Sequence, residues 1–261
     1  MFSLFFVDLG RRIISFMYFF GGLAKLSAQT VYLSLKPPYK YVQIIEQSKK
    51  AGYESLPIVS VVALFIGFIF ALQSAYFMQR IGSEMYIASL VALAIVRELG
   101  PVITALVVAG RVGASHTAEL GSMQVTEQID ALETLATNPV KYLVVPRFVA
   151  LSIMLPILTL YANIIGIMGS YIICVLKLGI TSSMYMNITF DALLYKDLFT
   201  GLFKAWIFGM IIALVSCYEG FNVEGGAEGV GKATTRSVVI TFLMIIAADC
   251  LFTALFYFIF P

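Results

Sequence analysis

The stretch Ile58–Met78 reads IVSVVALFIGFIFALQSAYFM and contains no charged residue. About 20 consecutive apolar residues are enough for a helix to cross the hydrocarbon core of a bilayer. Four similar stretches follow at Met85–Val108, Phe148–Leu176, Leu198–Tyr218 and Val238–Phe260. Because lipid offers the backbone no hydrogen bonds, such stretches must be helical. The sequence therefore predicts an all-α integral membrane protein with about five transmembrane helices.

The composition agrees with a lipid-embedded chain. Of the 261 residues, 60% are hydrophobic and only 12% are charged, and the mean hydropathy is +0.93. Soluble domains carry about 25% charged residues, so this chain has too little charge to cover a surface that faces water. The net charge of +2 gives no reason to expect a nucleic-acid partner.

Few residues could support covalent chemistry. The three cysteines lie far apart in apolar stretches, and His116 is the only histidine. Neither a disulfide framework nor a cluster with metal-ligand spacing can be assembled from them. No Ser-His-Asp or Cys-His arrangement is evident either. We expect no catalytic residue, metal or cofactor in this chain, and we interpret His116 as a solvated loop residue.

Residues 1–50 form a candidate N-terminal interfacial region in front of a membrane domain at 51–261. Apolar side chains recur at helical spacing, with polar side chains on the opposite face. The apolar positions are Phe2, Phe5, Phe6, Leu9, Ile13, Phe16 and Phe20, and the polar ones are Asp8, Arg11, Arg12 and Ser15. This pattern predicts an amphipathic helix lying in the membrane interface. The alternative is a signal peptide, whose cleavage site after Ala28 would lack the required small residue at Leu26.

The distribution of Lys and Arg predicts the orientation of the spans. Basic residues concentrate before the first span and in the 111–147 and 219–236 connections. The connections on the other side hold only Arg80, Lys177 and Lys196. Because positive charge marks the cytoplasmic side, the sequence predicts a cytoplasmic N-terminus and a C-terminus on the outer side.

Four charged residues lie inside the predicted spans: Arg97, Glu98, Lys204 and Asp249. Each costs at least about 2.5–3.5 kcal/mol at the bilayer centre, so such residues face a cavity or a partner. Lys204 and Asp249 could simply neutralise each other, and the sequence leaves a structural and a functional role open. We favour function for Arg97 and Glu98, because successive residues of a helix diverge by about 100° and pair poorly. The Gly100-Pro101 step should interrupt the helix and widen a cavity beside them.

The 117–136 segment combines an apolar stripe with acidic residues on the predicted cytoplasmic side. The stripe consists of Val125, Ile129, Leu132 and Ala136, and the acids are Glu119, Glu127, Asp130 and Glu133. A helix solvated on the membrane is one interpretation, but anionic lipid would repel four carboxylates. We therefore favour a docking surface for a partner protein. Its candidate contact residues are Glu119, Glu127, Gln128, Ile129, Asp130 and Leu132.

One motif suggests nucleotide binding and is rejected. Gly226–Lys232 reads GAEGVGK, which matches the first seven positions of a phosphate-binding P-loop. The next residue is Ala233 instead of the Ser or Thr that would hold magnesium, and Thr234 comes one position late. The loop also lies between two predicted spans, where no buried strand precedes it. Any ATPase must therefore be a separate chain.

Several motifs resemble those of the MlaE/YrbE permeases, the membrane subunits of lipid-transporting ABC transporters. They are VRELGPV (96–102), AGRVGAS (109–115), TAELGSM (117–123), TEQ (126–128) and ATTR (233–236). The resemblance extends from about the first span to the C-terminus. It implies a non-catalytic permease that moves phospholipid between the inner and outer membranes of a bacterium.

The resemblance also implies partners. They are a second copy of the chain, a cytoplasmic MlaF-like ABC ATPase that binds ATP and Mg, an MlaD-like protein with an MCE domain on the outer side, and a small accessory MlaB-like STAS protein in the cytoplasm. The chain would lie in the bacterial inner membrane, and the 117–136 segment would be the coupling helix that fits into the ATPase.

A lipid cavity beside the second span is a further implication. The candidate lipid-binding residues are Leu72, Tyr76, Arg97, Glu98 and Leu99. Arg97, Glu98 and Leu99 match the family's motif, while Lys204 and Asp249 fall where the family carries intramembrane charges. The glycine-rich loop at 225–231 departs from the family, so no role is transferred to it.

Two other classes of function stay open on the residues alone. A secondary transporter or ion channel could use the four intramembrane charges as an ion relay, although the internal repeats common in such transporters are not evident. A purely structural scaffold for a membrane complex is the second.

Overall fold

The computed structural model describes residues 2–80, 82–83 and 86–259, and within the first helix it describes the side chains of residue 14 and of residue 17 onward. This part of the chain is helical, without a β-strand. Its α-helices are α1 (Phe2–Ser34), α2 (Tyr41–Ala51), α3 (Leu56–Arg80), α4 (Ile87–Ala94), α5 (Gly100–Val108), α6 (Ala114–Val125), α7 (Gln128–Thr134), α8 (Val145–Leu176), α9 (Ser182–Ala192), α10 (Tyr195–Phe221) and α11 (Gly226–Ile259).

Five helical segments in the described residues are long and apolar enough to cross a membrane, which confirms the predicted number of spans. They are Tyr41–Arg80, Ile87–Val125, Val140–Leu176, Tyr195–Phe221 and Gly226–Ile259. Three π-helical turns keep the longer segments continuous, at Ile95–Leu99, Ala109–Gly113 and Val140–Val144. The chain is therefore an all-α, multi-pass membrane protein.

The second span is longer than the sequence indicated. Its predicted end at Val108 was wrong, because the helix continues as α6 to Val125. Hydropathy falls at Arg111, yet α6 buries Leu120 completely and packs between α10 and α11. Tertiary packing thus extends the helix beyond the apolar stretch that started it.

Helix α8 lies at the centre of the bundle, in contact with α2, α3 and α10. Its crossing with α3 is very close, since a Cβ added to Gly67 would lie 2.1 Å from the carbonyl oxygen of Gly166. Only glycine allows this approach. The helix continues through Pro156, where the sequence predicted a tilt or a kink.

The N-terminal region begins with α1, whose second half packs against α8 and α10 and buries Leu26 and Thr30. Nearly all the side chains that define the two predicted faces of this helix, at residues 2–16, lie outside the described side chains. The interfacial position of α1 stays a prediction, as do the domain boundary at residue 50 and the side on which each terminus lies. Pro261 also lies outside the described residues.

Buried polar groups join α6 to α2, α10 and α11 near the connection that leads to α7. The Thr117 hydroxyl donates to the Ser216 carbonyl at 3.1 Å and lies 2.8 Å from the Ser237 hydroxyl. The prediction of a solvated His116 was wrong, because this side chain is 3% exposed and its Nε2 lies 3.1 Å from Oε1 of Gln47 on α2. The lengthening of the second span into α6 explains the difference, since it carries His116 into the bundle.

Candidate functional site

The intramembrane charges form one cluster that joins three helices. Arg97 lies in the π-helical turn Ile95–Leu99, and its Nε donates to Oδ1 of Asp197 at 2.6 Å. The other carboxylate oxygen of Asp197 accepts the backbone N–H of Leu194 at 3.0 Å. Asp197 therefore caps the first turn of α10 and neutralises Arg97 at once.

Lys204 forms the centre of the cluster, two turns further along α10. Its Nζ lies 2.6 Å from Oε2 of Glu98 and 2.9 Å from Oδ1 of Asp249. It also donates to the Thr253 hydroxyl at 2.7 Å, and that hydroxyl donates to Glu98 at 3.1 Å. The contact with Asp249 satisfies the distance of an ion pair but not the geometry of a hydrogen bond. One ammonium group thus ties α10 to the second span and to α11.

The close approach of the helices makes these contacts possible. A Cβ added to Gly201 would lie 2.2 Å from the carbonyl oxygen of Val96. Because glycine has no side chain here, α10 can approach the π-helical turn closely enough for Lys204 and Asp197 to reach it. The sequence predicted an interruption of the helix at the Gly100-Pro101 step. In the structure the α-helical pattern is interrupted just before this step, by the π-helical turn, and the helix then continues as α5.

The cluster has a buried side and an open side. Asp197 and Lys204 are 1% and 2% exposed, whereas the side chains of Glu98 and Arg97 are 39% and 46% exposed. The cluster contains two cations and three carboxylates, so its formal charge is −1. Charges buried in lipid are tolerated when they pair, and here each of the five has an opposite partner.

A cleft of about 530 Å³ opens over the exposed side of the cluster. Its lining consists of Arg97, Glu98, Lys196, Thr200, Lys204, Thr253, Phe256 and Tyr257. Lys196 adds a further cation at the rim, and the two aromatic rings add apolar surface. The cleft can therefore receive a ligand that combines charge with an apolar part.

The structure brings together only some of the predicted lipid-binding residues. Leu99 faces away from the cleft and lines a separate, narrow apolar cavity between α3, α5 and α8. Leu72 and Tyr76 are 47% and 54% exposed on α3, and they line neither cavity within one chain. Tyr76 instead stacks with Arg80, whose guanidinium lies 4.3 Å from the ring centroid.

The predicted docking segment presents an acidic face at the other end of the second span. Glu127, Gln128, Asp130 and Glu133 are exposed on and beside α7. None of the three acids among them forms an ion pair within the described residues. Glu127 has a left-handed backbone, with φ of 57°, and separates α6 from α7. This turn makes α7 a separate short helix with its carboxylates exposed.

Three of the predicted docking residues contact other parts of the chain itself. Ile129 is 6% exposed and Leu132 is partly buried, and both pack on the chain's own core beside Leu120 and Val144. Glu119 forms an ion pair at 2.9 Å with Arg147, which is 4% exposed. These side chains therefore hold α6 and α7 to the bundle, and the free face consists of Glu127, Gln128 and Asp130.

Sequence reasoning missed two members of the charge cluster, Asp197 and Thr253. Asp197 lies one residue before the predicted span that begins at Leu198, so it was counted with the connection. An acid three residues after Leu194, in the first turn of a helix, was the available signal. Thr253 carries no charge, and nothing in its sequence surroundings distinguishes it from a threonine that faces lipid.

The P-loop-like sequence does not form a nucleotide cradle. Its first residue, Gly226, begins α11, and the remaining residues continue the helix. Lys232 pairs with Glu228 one turn earlier, at 2.6 Å on the exposed surface.

Comparison with known proteins gives one consistent family. The family model described as Permease MlaE matches residues 44–255. A Rickettsia felis protein named "Probable ABC transporter permease protein" is 45% identical over 250 residues, which cover 96% of each chain. A Synechocystis protein named in the same way is 41% identical over 78% of each chain. The Arabidopsis thaliana protein TRIGALACTOSYLDIACYLGLYCEROL 1, chloroplastic, is 36% identical over 89% of this chain and 66% of its own.

Proposed function

The chain belongs to the MlaE permease family and is a permease subunit of an ABC transporter, and we propose that it moves phospholipid between the inner and outer membranes of a bacterium. ATP would be hydrolysed by a separate ATPase, and this chain would provide the path for the lipid. The name of the Arabidopsis relative contains a glycerolipid, which supports a lipid as the transported class.

The observation that carries the proposal is the half-open charge cluster. A phospholipid needs polar contacts for its headgroup and apolar surface for its acyl chains. Arg97 can offer its guanidinium to a phosphate, and Glu98 can offer its carboxylate to an amine of a zwitterionic headgroup. Both keep more than a third of their side-chain surface exposed although each already has a partner. Phe256 and Tyr257 supply apolar surface at the same cleft.

A second copy of the chain would complete the cavity. Leu72 and Tyr76 are exposed on a face of α3 that has no cover in the described chain. In a homodimer this face would line the space between the two copies, where Leu72 and Tyr76 would contact acyl chains. Leu99 would line the adjoining apolar cavity.

The acidic face of α7 would dock the ATPase on the cytoplasmic side, as the positive-inside distribution predicts. Glu127, Gln128 and Asp130 are free to meet basic residues of that protein. The N-terminus would then be cytoplasmic and the C-terminus periplasmic. The MlaD-like MCE protein would stand on the outer side, and the MlaB-like STAS protein would belong to the cytoplasmic part.

The ion-relay alternative loses support from the geometry of the cluster. A relay needs a group that can take up and release an ion, whereas Lys204 already contacts two carboxylates and a hydroxyl. Membership of an ABC permease family also argues against secondary transport and against a passive scaffold.

Photocrosslinking in intact membranes tests the proposal. A photoreactive residue at position 98 should recover phospholipid, and the yield should change when the ATPase is trapped with nucleotide. The control is position 157 on α8, where Ile157 is 52% exposed and should contact bilayer lipid in every state. Crosslinks from position 98 to protein alone would contradict the proposal. So would a lipid yield at position 98 that, like the yield at position 157, does not change when nucleotide is added.

A further inference from the structure

A second cleft lies at the opposite end of the bundle from the charge cluster, with about 680 Å³ of empty space that is partly open to the surroundings. It forms where α1 ends at Ser34, where α2 begins at Tyr41 and where α8 begins at Val145. Two of the membrane-crossing segments begin here, at Tyr41 and at Val140. The cleft therefore lies at the end of the bundle from which these two segments start.

Three lysines line this cleft: Lys36, Lys40 and Lys141. Their amines contact only neutral groups. Lys141 Nζ donates to the Pro37 carbonyl at 3.0 Å, and Lys40 Nζ lies 3.3 Å from the centroid of the Tyr142 ring. Lys36 Nζ contacts the ring and the hydroxyl of Tyr32. No Asp or Glu lines the cleft, and none of the three lysines forms an ion pair with a described residue.

Three unpaired lysines line this cleft together. Four other lysines also form no ion pair with a described residue, but no two of them line the same described cleft: Lys25, Lys49, Lys177 and Lys196. Lys50, Lys204 and Lys232 each contact a carboxylate of the chain. Three cations around one cleft repel one another unless an anion enters. Basic pockets at a membrane face are suited to the phosphate of a lipid headgroup, because each Lys or Arg near the surface attracts anionic lipid.

The remaining lining shows that the anion should have an apolar part. Ile44 of α2, Val145 and Val149 of α8, and Leu33 of α1 face the same space. Helix α8 has 32 residues and is about 48 Å long, so it extends beyond a hydrocarbon core of about 30 Å. The lysines at its start can therefore lie at headgroup level while Val149, one turn further, reaches the acyl chains.

We propose that this cleft binds an anionic glycerophospholipid of the surrounding bilayer, with its phosphate among Lys36, Lys40 and Lys141. The acyl chains lie along Ile44 and Val149. This site is distinct from the cleft at Glu98, and it requires only that the chain lies in a membrane, not that it transports lipid. The same phosphate chemistry could come from a soluble phosphate, which the experiment separates.

The test uses the purified full-length chain in nanodiscs of phosphatidylcholine. A small fraction of the lipid is replaced by phosphatidylglycerol with a photoreactive acyl chain or, in parallel, by phosphatidylcholine with the same chain. After irradiation, labelled peptides are mapped by mass spectrometry. We expect the phosphatidylglycerol probe to label the peptides that contain Ile44 and Val149 at least about tenfold more than the phosphatidylcholine probe.

Replacing the three lysines together, as K36Q, K40Q and K141Q, should remove this preference. The matched control is K49Q, K177Q and K232Q, which removes the same charge from exposed positions outside the cleft and should retain it. Labelling at Ile164, which is 58% exposed on α8, reports that each variant is folded in the bilayer.

Four results would overturn the proposal. The first is equal labelling by the two probes, and the second is equal loss of preference in both triple variants. The third is competition by millimolar inorganic phosphate, which would make this a site for a soluble anion. Crosslinks from the cleft to an acidic partner protein in the assembled transporter, with no lipid adduct, would likewise assign it to that protein.

Discussion

The charge cluster and the acidic face of α7 differ in whether their carboxylates are paired with a cation. In the cluster, Asp197, Glu98 and Asp249 each contact a cation, and the contacts connect three helices. On α7, Glu127 and Asp130 are exposed and form no ion pair within the described residues. One set is satisfied inside the chain, and the other is left for water or a partner.

The solvent explains the difference. A charge surrounded by lipid must be neutralised, because the cost of burying it alone is several kcal/mol. A carboxylate in water needs no partner, so a helix there can keep an acidic face free for another protein. Removing a partner from the cluster should therefore affect folding, whereas reversing charge on α7 should affect binding.

The largest expected effect is that of Lys204→Met. It leaves Glu98 and Asp249 without their common cation, and breaking a buried ion pair in this way costs about 3–5 kcal/mol. Glu98 is 39% exposed and can regain some water, which places the loss at the lower end of that range. The free energy of unfolding, measured by denaturant titration in detergent micelles, should fall accordingly.

Lys232→Met is the matched control. Lys232 also pairs with a glutamate at 2.6 Å, but both side chains are more than three-quarters exposed. An exposed pair contributes about 0–1 kcal/mol, so this variant should unfold almost like the natural chain. Similar losses for the two variants would mean that the cluster is not effectively buried.

The sequence predicted the spans well because hydropathy depends only on local composition. Five apolar stretches gave five spans, and the cost of burying charge singled out Arg97, Glu98, Lys204 and Asp249. The pairing could not be predicted, because it depends on how α10 and α11 pack against the second span. Asp197 shows the limit, since it lies just outside an apolar stretch and yet is 1% exposed.

The segment around α7 shows what hydrophobic periodicity alone could not predict. Its periodicity separated an apolar stripe from an acidic one, but periodicity does not tell which protein covers the apolar stripe. The structure places Ile129 and Leu132 on the chain's own core, so these two side chains attach α7 to the bundle, whereas Val125 and Ala136 of the predicted stripe are exposed. His116 was misjudged for a related reason, because a helix extended by tertiary packing carried it inside.

Ile129→Ala sharpens the comparison at α7. Ile129 is 6% exposed, and truncating a buried isoleucine costs about 2–5 kcal/mol, with values near 2 expected for a short surface helix. Hydrogen exchange of the α7 amides should accelerate, and the free energy of unfolding should fall. Leu135→Ala is the control, because Leu135 is 74% exposed and its loss should cost no more than about 0.5 kcal/mol. A larger effect for Leu135 would mean that Ile129 and Leu132 are not what attaches α7.

The smallest expected effect on the chain itself comes from Glu127→Lys combined with Asp130→Lys. Both side chains are exposed, so the free energy of unfolding should stay within about 0.5 kcal/mol of its natural value. Binding should respond instead, because like charges would then face the basic surface expected on the ATPase. A tenfold loss corresponds to about 1.4 kcal/mol, and two charge reversals should weaken co-purification of the ATPase by at least about that factor. Asp191→Lys reverses an exposed acid on α9, near the other end of the bundle, and should leave the ATPase bound. If the double variant retained the ATPase as Asp191→Lys does, the free acids of α7 would not be the docking surface, and the contrast with the paired cluster would reflect solvent alone.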